Sequence, residues 1–137
     1  MFFKKKKDKK DHENFIKIAA LLIHAAKIDE NYSQKEHSII QKTLLELGVE
    51  SDDLEKIIEN AQKIEEDSNQ ILDFTKQIKM MDNKNKIKII ETLWKIVYSN
   101  NEADNYETSL MTRLGGLLYI DNKTMGDIKE RVKKENL

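Results

Sequence analysis

The chain has 137 residues, a length that suits one domain around one buried core. Charged residues make up 36% and mean hydropathy is −0.69, yet 39% hydrophobic residues excludes a wholly disordered chain. The absence of cysteine excludes disulfides, thiolate zinc sites and cysteine nucleophiles, and the absence of proline with only four glycines argues against a turn-rich β-sandwich or barrel.

The net charge of −1 is unevenly spread. Residues 1–12 carry six lysines (Lys4, Lys5, Lys6, Lys7, Lys9, Lys10) against Asp8 and Asp11, a net +4 that leaves −5 on the other 125 residues. Residues 1–11 lack an apolar face and read as a flexible basic tail on an all-helical domain spanning 12–137. The first helix is expected over about 12–28. Its centre, Ile18 to Ala26, is apolar on all sides except for His24, the pattern of a buried helix.

The second helix is expected from near Ser33 to near Gly48. Ile40, Thr43, Leu44 and Leu47 fall at i, i+3, i+4 and i+7, and Gly48 supplies a left-handed stop. Ser51 is placed as the cap of a third helix carrying Leu54, Ile57, Ile58, Ala61 and Ile64 on one face. A fourth helix starts near Ser68 with Ile71, Phe74, Thr75 and Ile78. A fifth starts near Asn83 with Ile87, Ile90, Leu93, Trp94 and Val97. A sixth starts at Asp104 with Leu110, Leu114, Leu117 and Leu118, and a seventh at Asn122 with Met125, Ile128 and Val132. No stretch alternates like a strand, so the fold class is all-α, a compact bundle of about seven short helices.

The helices read as two related helix–turn–helix halves. Aligning Asp29 with Asn100 sets an offset of 71 residues. The same offset pairs Ile16 with Ile87, Ile18 with Ile89, Leu22 with Leu93 and Ile23 with Trp94. It also pairs Ser33 with Asp104, Glu36 with Glu107, Ile40 with Met111, Leu47 with Leu118, Val49 with Ile120, Ser51 with Asn122 and Leu54 with Met125. Helical periodicity alone aligns apolar positions. It does not also align turns and acidic caps, which points to an internal duplication.

The two turns concentrate oxygen ligands. The first runs from Asp29 to Glu36 and the second from Asn100 to Glu107. Asp29, Glu36, Asn100, Glu102, Asp104 and Glu107 form the candidate metal set, of a kind that suits hard cations such as Ca²⁺ or Mg²⁺. The competing reading is helix capping. Ser33-x-x-Glu36 and Asp104-x-x-Glu107 are capping boxes, which account for those four residues but do not require Asp29 or Glu102. An EF-hand is excluded: counted from Asp29 the sixth and twelfth positions are Gln34 and Ile40, and from Asn100 they are Asn105 and Met111.

No catalytic constellation is present. P-loop, Gly-x-Ser-x-Gly and His-Glu-x-x-His patterns are missing, so the protein is read as non-enzymatic. His24 and His37 read as packed, hydrogen-bonded residues and His12 as solvated. Gly115 and Gly116 read as a close helix contact. The tail has three readings: a solubilising segment, a contact with an anionic membrane, in which each lysine contributes about 1 kcal/mol, or a non-specific contact with nucleic acid. Nucleic acid is the least supported partner, because no folded motif or interleaved aromatic accompanies the lysines. With no apolar run near the roughly 20 residues a membrane span needs, the expected location is cytoplasmic, with peripheral membrane association left open.

At the two turns the sequence resembles the tellurite-resistance TerB-like family, whose all-helical fold repeats an Asp-Gly-x-aliphatic-(Ser/Asp)-x-x-Glu turn after an apolar helix. Ala25-Ala26-Lys27-Ile28 leads into Asp29, with Tyr32, Ser33 and Glu36 at the later positions. Trp94 to Tyr98 leads toward Asn100, followed by Ala103, Asp104 and Glu107. Glu30 and Asn101 stand where the motif has glycine, and Asn100 stands for its second Asp, with Glu102 nearby as a substitute carboxylate. The resemblance covers about residues 14–132. It implies a binding module that takes protein partners and a divalent cation at these turns, near a membrane, in a stress response. The alternative is a purely structural interaction module whose acidic turns only cap helices.

Overall fold

The computed structural model describes residues 2–27, 33–67, 71–100 and 105–135, with side chains over 12–27, 33–67, 71–99 and 109–135. Seven α-helices and no strand occur among these residues. They are α1 (Phe2–Ala26), α2 (Gln34–Leu47), α3 (Ser51–Asp67), α4 (Leu72–Ile78), α5 (Asn83–Val97), α6 (Asn105–Leu117) and α7 (Asn122–Glu135), with a 3₁₀ turn at Tyr98–Asn100 after α5.

The bundle is organised around α1 and α5. Ile18 to Leu22 of α1 are no more than 1% exposed and Ala26 is fully buried, as an all-apolar helix requires. α3, α4, α5 and α2 all pack on it. α5 in turn contacts α1, α2, α6 and α7, burying Ile89, Ile90, Leu93 and Trp94. Between α2 and α5 the hydroxyls of Thr43 and Thr92 lie 2.8 Å apart, and Thr92 also donates to the carbonyl of Lys88. A polar pair can sit in this core because each hydroxyl has a partner.

Element bounds differ from the sequence reading in three places. α1 begins at Phe2 rather than near residue 12. Lysine is a good helix former, and a helix nucleated by the buried segment propagates through such residues at little cost. Ser51 is the first helical residue of α3 rather than the residue before it, and Asp53 N–H is bonded to the carbonyl of Glu50. α4 begins at Leu72, and Ser68 lies outside the described residues. α7 begins at Asn122 as expected, and its cap is Asp121, whose carboxylate accepts from the Thr124 N–H at 3.2 Å. Hydrogen bonding from the Thr124 side chain, and after it from this N–H, lowers the Asp121 pKa.

Several local features recur at the 71-residue spacing. α1 ends at Ala26 and α5 at Val97, while α3 starts at Ser51 and α7 at Asn122. α2 and α6 each stop in a left-handed residue, Gly48 at φ 116° and Tyr119 at φ 60°. The closing hydrogen bonds share one register: Val49 N–H to Leu44 O at 3.0 Å and Ile120 N–H to Gly115 O at 2.9 Å. The side chains at these stops differ. Phe15 of α1 lies beside Gly48. Lys86 of α5 sits below Tyr119, is 6% exposed, and donates to the Leu118 carbonyl at 3.1 Å.

Gly115 serves the close contact expected of it, because a Cβ there would lie 3.1 Å from Met125 Cγ, whereas Gly116 has open space. None of the described helices is long and apolar enough to cross a membrane.

Candidate functional site

The N-terminus of α2 meets the C-terminal end of α5. Ser33 has extended backbone, φ −83° and ψ 164°, which places its hydroxyl over the first turn of α2. Ser33 Oγ accepts from the Glu36 N–H at 3.2 Å, and Glu36 Oε1 accepts from the Ser33 N–H at 2.8 Å and from the Ser33 hydroxyl at 3.0 Å. This is the reciprocal capping box expected from Ser33-x-x-Glu36.

Glu36 does more than cap. It is only 2% exposed, and Ser99, just after α5, points its hydroxyl at Glu36 Oε2 from 3.5 Å while bonding the Ile96 carbonyl at 2.7 Å. Lys35 donates to the Ser99 carbonyl at 3.2 Å, placing a cation at the carbonyl-rich end of α5. The helix that follows the first turn is thus held against the start of the second.

A second charged group fixes the end of α1. Glu65 of α3 is 8% exposed and accepts from Lys27 Nζ at 2.6 Å, with His24 Nδ1 3.2 Å from its other oxygen. A buried carboxylate needs such pairing, since removing its partners leaves a charge in a poorly solvated place. The contact anchors the last turn of α1 directly ahead of residues 28–32. His12 is half-buried and lies 3.3 Å from Asp53, so it is paired rather than simply solvated.

Two buried carboxylates therefore tie the bundle together: Glu36 holds α2 against the end of α5, and Glu65 holds α3 against the end of α1. The family described as Tellurite resistance protein TerB matches residues 15–130, a span that includes both turns and every helix but the ends of α1 and α7. The chain belongs to the TerB family. Comparison with curated proteins gave no match, and neither did comparison with solved structures.

Within this TerB-family fold, Glu36 is the one member of the candidate metal set whose side chain is described. Asp29, Glu102 and Asp104 lie outside the described residues, and at Asn100 and Glu107 only the backbone is described, in the 3₁₀ turn and in α6. Among the described residues, no three histidine, aspartate or glutamate side chains converge in a metal-holding group.

Sequence reasoning missed Glu65 and Lys86. A signal existed for both. Glu65 stands four residues after Ala61 on the apolar stripe of α3, and Lys86 three before Ile89 on that of α5. An ionisable residue at a core position implies a buried partner, but nothing local names which one.

Proposed function

We propose that this TerB-family protein is a non-enzymatic binding module that takes a divalent cation, Ca²⁺ or Mg²⁺, between its two acidic turns and presents the loaded surface to a protein partner. The observation that carries this reading is the contact of Glu36 and Lys35 with Ser99, which couples the helix after the first turn to the residue that opens the second. Carboxylates from two such turns repel one another unless a cation bridges or screens them. Asp29, Asn100, Glu102, Asp104 and Glu107 join Glu36 as the proposed ligands. Affinity is modest, because Asn100 is neutral and neither turn alone holds a full ligand set. The stress-response setting comes from the family's description, and the basic N-terminal segment supplies peripheral contact with anionic membrane.

A second reading has its own support. The capping box satisfies Glu36 Oε1 with two hydrogen bonds, which fits a purely structural interaction module whose acidic turns only cap helices.

Thermal melting with Ca²⁺ and Mg²⁺, on wild type and Asp29→Asn, separates the two. A ligand of the folded state stabilises by RT ln(1 + [L]/Kd), so a cation at about ten times Kd adds roughly 1.4 kcal/mol to wild type and less to the variant. If millimolar cation moves neither melting temperature beyond what matched ionic strength does, the cation reading is wrong and the turns only cap helices.

A further inference from the structure

At the end of α2 and α5 remote from the acidic turns, a cleft of about 220 Å³ is lined by Asn14, Phe15, Ile18, Leu47, Met81 and Asn85. Ile18 forms its buried floor, and the other five are half-buried, so the cleft opens to solvent. Glu36 and Leu47 stand eleven residues apart on α2, which separates this cleft from the capping site by about 16 Å along the helix.

Three observations bear on what it takes. Among the described residues its lining holds no ionisable group, so a charged ligand would find no counter-charge among them. Its volume is below the roughly 300–1,000 Å³ of small-molecule sites but suits one apolar side chain. Its two polar residues, Asn14 and Asn85, come from α1 and α5 at the 71-residue spacing, and neither amide side chain is hydrogen-bonded to any described residue. Each amide offers a donor and an acceptor, the complement of a peptide unit. Asn14 also sits inside α1, where asparagine is a weaker helix former than alanine.

We propose that this cleft is an anchor site for a segment of a partner protein: one uncharged apolar side chain enters between Phe15, Leu47 and Met81, and its flanking peptide groups bond Asn14 and Asn85. The site is independent of the cation reading, which succeeds or fails at the other end of the bundle.

The test is an amide-resolved NMR titration of the full chain with N-acetyl-leucinamide as a one-residue probe. The expected result is a set of saturable shifts at Asn14, Phe15, Leu47, Met81 and Asn85 with millimolar half-saturation, as befits so small a fragment. N-acetylglycinamide, which lacks the side chain, and the N-acetyl-leucine anion should each bind about tenfold more weakly or not at all. Asn14→Ala and Asn85→Ala, both favourable in helices, should each weaken the leucine probe severalfold without lowering the melting temperature. The proposal is overturned if the leucine probe gives no saturable shifts up to its solubility, if the glycine or anionic probe binds equally well, or if both alanine variants bind like wild type. It is also overturned if cleft resonances shift with protein concentration alone, which would make a second copy of the chain the occupant.

Discussion

Replacing Gly48 with alanine tests the backbone account of how α2 stops. Gly48 has φ 116°, well beyond the left-handed well near 60° that other residues occasionally use. A Cβ at Gly48 would meet only Phe15 Cζ at 3.9 Å, an ordinary contact, so the cost comes from the backbone and not from a clash. Forcing an L-residue into left-handed space costs about 1–2 kcal/mol. For a chain of 137 residues this lowers the melting temperature by about 3–8 °C. The control is Gly126→Ala, at an exposed interior position of α7 where an added Cβ meets nothing within 4 Å. There alanine should raise stability by about 0.5–1 kcal/mol. Urea and thermal unfolding, followed by far-ultraviolet circular dichroism and by fluorescence of the single tryptophan, buried Trp94, measure both. If Gly48→Ala unfolds at the wild-type midpoint while Gly126→Ala is stabilised, the left-handed stop does not carry the energy assigned to it.

Two further outcomes are expected. Burial, with a smaller contribution from Glu130, raises the Tyr98 pKa above its usual value near 10. The unfolded chain then releases this proton first, so stability is intact below pH 10 and falls as pH rises above it; Tyr98→Phe should flatten that alkaline loss, and equal slopes of urea midpoint against pH in both proteins would refute the assignment. Deleting residues 1–11 should leave the melting temperature nearly unchanged, because the buried part of α1 begins at Ile18, and should abolish salt-sensitive binding to anionic vesicles. An intact chain that fails to bind such vesicles at low salt would end the membrane reading.

The helices were legible in the sequence because their causes are local. Apolar residues at helical spacing, Ser33 and Glu36 three apart, and Gly48 after Leu47 act within one or two turns of backbone, so periodicity and capping chemistry were enough to place α2, α5 and α7. The resemblance at the two turns was legible for the same reason, since its motif is a contiguous run of residues. Where α1 begins was less legible, because a lysine-rich segment has no face of its own and becomes helical by continuing a helix buried elsewhere.

What the sequence left undetermined depends on contacts between distant segments. Glu65 meets His24 and Lys27 across 41 and 38 residues, and Glu36 and Lys35 reach Ser99 across 63 and 64. Asn14 and Asn85 share one cleft only because α1 packs against α5. Composition and spacing mark such residues as polar on an apolar face, but the partner is chosen when helices pack. At that point burying an ionic group without a hydrogen-bonding partner costs several kcal/mol, so the tertiary arrangement that supplies the partner is the one selected.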